Sequence, residues 1–287
     1  MGYLIFLPIF VLLIKINPLK ILKMEIVKLR NLEIPQQVLV PMKTNTVLDS
    51  FISDRGGLLP SCIYVVVGGA GSGKTSWSID TIHKLQNTNP DKKFLYISGE
   101  QDEIDNYELS QKLPGLADLS TLYLSGCQDP KKVLTDVLEQ GWDCVLMDSL
   151  EVVASRVRTA TGMNQKESST WVMDLMFKHK KGGNPSNIFT TFMVIQQATK
   201  GGNFKGDSSI EFDTTGMLYV RYDEDEGNRY LSFSKNRRGS NNIRQYYRLS
   251  NGRMQYIPRV TQTTFVAQEE IVSDRKPRDY RHSFLTR

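Results

Sequence analysis

The residues Gly68-Gly69-Ala70-Gly71-Ser72-Gly73-Lys74-Thr75 fit the pattern G-x-x-x-x-G-K-[ST]. That spelling suits phosphate chemistry. The glycines Gly68, Gly69, Gly71 and Gly73 let backbone N–H groups turn inward around a polyphosphate without Cβ clashes. Ala70 and Ser72 complete the cradle, and a loop that opens into a helix presents free amides and a dipole that favour anions. Lys74 is placed to reach the β- and γ-phosphates and the Thr75 hydroxyl to ligate Mg²⁺. The expected cofactors are ATP and Mg²⁺.

Two carboxylates have the right setting to complete such a site. Asp148 ends the apolar run Cys144-Val145-Leu146-Met147, the position from which a carboxylate holds Mg²⁺ through water beside the loop threonine. The next residue, Ser149, is not an acid, so the group that activates water must come from elsewhere. Glu100 follows the apolar run Phe94-Leu95-Tyr96-Ile97, at the strand edge where ligands bind in open α/β sheets. A carboxylate there can take a proton from attacking water. Asp102, Glu103 and Asp105 follow closely, so an ordinary acidic loop is the competing reading.

The elements that must position these residues are legible around them. Ile63-Tyr64-Val65-Val66-Val67 reads as a buried strand. A helix follows the loop, with Trp77, Ile79, Ile82 and Leu85 facing a core. Thr121 to Leu124 reads as a short strand. Asp129-Pro130 reads as an N-cap and a first-turn proline of a helix closed by Gly141. Residues 162–183 begin irregularly and become helical through Trp171, Leu175 and Met176, and Ile188 to Gln197 is another strand. Strands alternating with helices predict an α/β fold, a mostly parallel sheet flanked by helices. Met217 to Tyr222 and Arg229 to Ser234 are strands joined by an acidic turn. Tyr246 to Leu249 and Met254 to Ile257 pair across Asn251-Gly252, a C-terminal antiparallel hairpin extension.

The chain has 287 residues, 40% of them apolar, with a net charge of +5. That composition permits a sizeable core, and the charge permits a nucleic-acid partner without demanding one. The three cysteines and three histidines are dispersed, so structural zinc and a disulfide framework are not expected and a reducing, cytoplasmic setting is. Residues 1–23 carry an apolar stretch shorter than the ~20 residues of a membrane span. Translation starting at Met24 is the favoured reading of it and a weak anchor the other; a membrane association is not expected. Residues 24–257 read as the folded domain and 258–287 as a basic, disordered tail.

Several of these stretches resemble a known family. Val47-Leu48-Asp49-Ser50-Phe51-Ile52 followed by Gly56-Gly57-Leu58-Leu59-Pro60 resembles the opening of RecA-type ATPase cores. Tyr96-Ile97-Ser98-Gly99-Glu100 looks like the YVSGEES segment of RadA/Sms, a bacterial RecA-family recombination ATPase. Gln196-Gln197-Ala198-Thr199-Lys200-Gly201-Gly202 resembles its GHVTKEG, and Lys235-Asn236-Arg237-Arg238-Gly239 its KNRFG, which is related to a signature of DnaB-type helicases. The resemblance covers about residues 44–250 in family order. It implies a RecA-like fold, Glu100 as catalytic base, Gln197 as γ-phosphate sensor, and Lys235 and Arg237 as cations reaching a neighbouring subunit's ATP site. Composition alone leaves Lys235 and Arg237 as a solvated face. Gln197 stands where RadA has histidine, and the zinc-binding cysteines of RadA have no counterpart. A stripped core of this kind suits a phage-encoded protein working in a bacterial host cytoplasm.

The reading is therefore an oligomeric, ring- or filament-forming RecA/RadA-like ATPase that binds single-stranded DNA in recombination, repair or replication. Its pore loops are expected at Arg156 to Ser168 and Thr199 to Asp213, with Arg156, Arg158, Lys166, Lys200 and Lys205 on DNA phosphates. The alternatives are a DnaB-like replicative helicase core and a non-motor P-loop protein, such as a KaiC-like ATPase or a small-molecule kinase. A kinase should carry an arginine-bearing lid and an acceptor pocket, and the sequence offers neither.

Overall fold

The computed structural model describes residues 28–198 and 209–258. The expected N-terminal segment 1–23, Lys200, Lys205 and all but the first residue of the expected tail lie outside the described residues.

A nine-stranded sheet forms the centre, in the order β3-β2-β4-β5-β1-β6-β7-β8-β9. The strands are β1 (Ile63–Gly68), β2 (Phe94–Ser98), β3 (Ser120–Tyr123), β4 (Cys144–Asp148), β5 (Thr191–Gln197), β6 (Gly216–Asp223), β7 (Asn228–Asn236), β8 (Gln245–Ser250) and β9 (Arg253–Tyr256). Pairing is parallel from β3 through to β6 and antiparallel from β6 to β9. The helices are α1 (Leu48–Ile52), α2 (Lys74–Thr88), α3 (Glu103–Lys112), α4 (Pro130–Glu139), α5 (Leu150–Thr161), α6 (Gln165–Lys180) and α7 (Ser209–Asp213).

The sheet is buried on both faces, which is why its parallel strands read as unbroken apolar runs. In β1, Tyr64 and Val66 join the core that contains Trp77, Ile79, Ile82 and Leu85 of α2. Ile63, Val65 and Val67 point the other way, into the core formed with α4, α5 and α6. The predicted face of α2 is realised: Trp77 is 1% exposed, and Ile82 and Leu85 are fully buried. Full burial of each such side chain contributes about 1.5–3 kcal/mol. Asp129 caps α4 as expected, accepting a hydrogen bond from Lys132 N at 2.9 Å.

Two sequence expectations need correction. The acidic stretch after Glu100 is not a loop. Asp102 accepts from the backbone N–H of Ile104 and Asp105, both at 2.9 Å, and so starts α3, with Glu103 and Asp105 in its first turn. Acids crowd there because a helix N-terminus favours negative charge. Residues 156–168, expected as a pore loop, are mostly helical. Arg156 and Arg158 stand on α5, and Lys166 stands in the first turn of α6. The helices are separated by Gly162, Met163 and Asn164. Asn164 and Glu167 form a reciprocal cap, each side chain accepting from the other's N–H at 2.9 Å, so the break is a tight corner.

Candidate nucleotide site

Everything that could handle a triphosphate collects at the carboxyl edge of the parallel strands. The chain leaves β1 at Gly68, turns through the loop and enters α2 at Lys74. A Cβ at Gly68 would lie 2.5 Å from Ser72 Oγ and 2.8 Å from Val220 O, so only glycine permits the loop to fold this closely onto β6. Gly73 has φ +94°, the left-handed region that glycine adopts without steric penalty, and this turn aims the first amides of α2 into the loop. Lys74 is 9% exposed and donates to Gly69 O at 2.8 Å, which keeps its ammonium inside the cradle. Ser72 Oγ is buried with no hydrogen-bond partner among the described residues.

Across from the loop stands Asp148, 5% exposed at the end of β4. Its Oδ2 accepts from the Thr75 hydroxyl at 2.6 Å. The two residues expected to share Mg²⁺ are thus already in contact, although 73 positions separate them. Burial pushes the Asp148 carboxyl up to about 6. The Thr75 hydroxyl opposes that shift, the Glu100 charge adds to it and Lys74 opposes it. Burial also holds Lys74 below the usual lysine range, against the pull of Asp148 and Glu100. A divalent cation would favour the ionised Asp148 carboxylate, and phosphate oxygens would favour the protonated Lys74.

The donor set fits Mg²⁺. Among the described residues no group of three His, Cys, Asp or Glu side chains could hold a metal by itself. Magnesium chemistry asks for only one or two protein oxygens beside phosphate oxygens and water. Thr75 and Asp148 supply such oxygens, and the unpartnered Ser72 Oγ and the loop amides await an anion.

Glu100 lies two residues past β2, exposed to solvent. Its Oε1 accepts from the Ser149 hydroxyl at 2.7 Å. Ser149, set aside in the sequence for not being an acid, is therefore the contact between the end of β4 and the carboxylate. Sequence reasoning missed it because a serine signals nothing until its partner is known. Gln197 ends β5 in register with Gly68 and is also exposed. Glu100, Ser149, Gln197, Arg156 and Arg158 line one cleft of about 930 Å³. Arg156 donates to Gly99 O at 3.4 Å, next to Glu100 in the chain. Arg158 donates to Ser155 Oγ at 3.2 Å. Lys166 is exposed and is not among the residues lining this cleft.

Lys235 and Arg237 lie toward solvent, and both have backbone partners. Lys235 donates to Glu211 O and, at 3.1 Å, to Phe212 O. Arg237 donates to Phe212 O at 2.6 Å. Both cations sit on carbonyls at the end of α7, where the helix dipole favours positive charge.

A mostly parallel sheet with the P-loop at the end of its central strand, and a carboxylate from β4 against the loop threonine, define a RecA-like P-loop fold. Within that class the chain resembles RadA. It is 28% identical over 189 residues to the DNA repair protein RadA of Listeria monocytogenes, covering 65% of this chain and 39% of the relative. RadA of Streptococcus pyogenes is 24% identical over 197 residues, covering 69% of this chain and 41% of the relative. The chain thus spans about two fifths of the length of these curated relatives. No family model matches it. Among solved structures, a KaiC-like protein of Pyrococcus horikoshii aligns with TM-score 0.56 and 15% identity, over 76% of this chain and 99% of that one. The flagellar accessory protein FlaH of Methanocaldococcus jannaschii aligns with TM-score 0.57 and 14% identity, over 77% and 100%. At that identity they establish the RecA-like fold and nothing finer. Among the described residues no helix is long and apolar enough to cross a membrane.

Proposed function

We propose that this protein hydrolyses ATP with Mg²⁺ and couples hydrolysis to single-stranded DNA in recombination, repair or replication, working as a homo-oligomer in the cytoplasm. One observation carries the hydrolytic reading: Asp148 against Thr75, with Glu100 tethered by the neighbouring Ser149. In this reading Lys74 and the loop amides neutralise the β- and γ-phosphates. Thr75 and Asp148 would hold Mg²⁺, whose chemistry there would be to neutralise charge on the phosphate oxygens. Glu100 accepts the proton of the attacking water, and Gln197, at the neighbouring strand end, senses the γ-phosphate.

The DNA reading rests on the likeness to RadA and on Arg156 and Arg158 lining the cleft that also contains Glu100. A strand laid along these arginines would touch the segment that carries the base, through the bond from Arg156 to Gly99 O. Lys166, Lys200 and Lys205 would extend the phosphate contacts. Lys235 and Arg237 would leave the α7 carbonyls to reach a neighbouring subunit's γ-phosphate, where a cation in trans stabilises the transition state.

An ATPase assay with and without single-stranded DNA tests the proposal. Stimulation by DNA supports it. Hydrolysis indifferent to DNA favours a non-motor P-loop ATPase instead. No hydrolysis at all removes both.

A further inference from the structure

Arg229, which sequence reading placed only at the start of a strand, comes to rest against the P-loop. A Cβ built on Gly73 would lie 3.7 Å from its Nε and 3.9 Å from its Cδ. The same point lies 3.8 Å from the Tyr247 hydroxyl. Arg229 and Tyr247 are direct cross-strand neighbours on β7 and β8, so the two approach the loop together. Tyr247 is 1% exposed, and its hydroxyl is buried with no hydrogen-bond partner among the described residues. Arg229 is half-buried and makes no ion pair or side-chain hydrogen bond with any described residue. Its neighbours behave differently: Arg244 pairs with Asp223 at 2.8 Å, and Arg248 donates to Asn228 at 2.8 Å.

A guanidinium carries five N–H donors, and leaving them unpaired in a partly desolvated place is unfavourable unless an anion arrives. The sheet order says which part of a nucleotide would meet it. Glu100 follows β2, and Asp148 and Gln197 end β4 and β5, all on one side of β1. Arg229 is the second residue of β7, on the other side of β1, beyond β6. A triphosphate in the loop with its γ-phosphate toward Glu100 runs its α-phosphate toward the β6–β7 side. We propose that Arg229 binds the α-phosphate of the nucleotide in cis, and that the Tyr247 hydroxyl positions it. The inference rests on the nucleotide-binding reading above and adds an anchor common to ATP and ADP, separate from the groups that act on the γ-phosphate.

The test compares affinities for ADP and a non-hydrolysable ATP analogue. Arg229→Met keeps the apolar stem and removes the fork. It should weaken both ligands by the same factor, about tenfold or more, the worth of a lost charge-assisted hydrogen bond. Arg229→Lys should fall between it and wild type, because the charge stays and the fork goes. Tyr247→Phe keeps the ring against Tyr256, 6.3 Å between centroids, and should cost a smaller factor, about threefold. Arg221→Ala, which removes an exposed cation from β6, is the control for net charge and should leave both affinities alone. Arg229→Met with both affinities at the wild-type value overturns the inference. Loss of the ATP analogue with ADP unaffected also overturns it, by moving Arg229 to the γ-phosphate. If Arg229→Met does not fold, Arg229→Lys decides, and wild-type affinity there counts against the inference. A wild-type protein that binds neither nucleotide overturns the P-loop reading itself, a different result from a variant that binds normally.

Discussion

The Ser149 hydroxyl donates to Glu100 Oε1 at 2.7 Å, so the residue after the β4 aspartate restrains the carboxylate that follows β2. β2 and β4 are hydrogen-bonded neighbours, with Ser98 opposite Asp148, and this pairing brings the two loops within reach. Glu100→Gln should bind ATP but lose about 10²–10⁴ in kcat, the usual worth of a general base. Ser149→Ala should lower kcat by about tenfold, the value of one positioning hydrogen bond, with nucleotide affinity unchanged. Single-turnover kinetics beside equilibrium binding separates the two. Wild-type kcat in Glu100→Gln would remove Glu100 from the mechanism.

Lys74→Ala should abolish hydrolysis, because the transferred phosphoryl group loses its main cation. Thermal melting of the free protein should change little, since the Lys74 ammonium bonds only to Gly69 O among the described residues. Turnover that survives this substitution would argue against phosphate transfer in the loop.

Arg156→Ala should reduce the DNA-stimulated rate more than the rate without DNA. Arg156 donates to the carbonyl of Gly99, the residue before Glu100. The salt dependence of DNA binding should become shallower by about one phosphate contact. Equal loss of both rates would mean that Arg156 only braces the loop.

Arg237→Ala subunits should bind nucleotide and fail to hydrolyse it. Mixed with Glu100→Gln subunits in one verified oligomer, they should regain part of the activity, because some interfaces then join an intact Glu100 to an intact Arg237. Failure to recover would leave Arg237 as the cap on α7 that its bond to Phe212 O describes.

His179 predicts a pH dependence of stability. It is fully buried on α6, and neither ring nitrogen has a hydrogen-bond partner among the described residues. Burial, and secondarily the Lys178 charge, hold its pKa below the ordinary value. In the unfolded chain it titrates near about 6.5, so below that pH the unfolded state binds the proton more readily. Stability should fall as pH drops through and below about 6.5, until the folded-state value is reached. His179→Leu should flatten the loss of Tm between pH 7 and pH 5. An unchanged slope would assign that pH dependence to other groups.

Local spelling decided much of this protein. The P-loop needs glycine at positions set by its own backbone, and β1 and α2 announce themselves by burial on two faces and on one stripe. The Asn251-Gly252 hairpin is equally local, because its turn alone sets the register of β8 and β9. Asp148 was readable because an apolar run pointed to it. What tertiary structure alone decided is which distant side chains meet. Thr75 against Asp148 and Ser149 against Glu100 depend on strand order, and the parallel sheet places β4 beside β2 although a third strand, β3, comes between them in the chain. Arg229 reached the P-loop only because β6 runs parallel beside β1 and β7 returns antiparallel along β6. The arginines expected on a loop stand on a helix, since a cap formed between Asn164 and Glu167 closes the corner after Arg156 and Arg158 have already been wound in. Motifs carry backbone geometry over a few residues, whereas a site made of side chains from four strands exists only once long-range pairing has brought their ends to one edge.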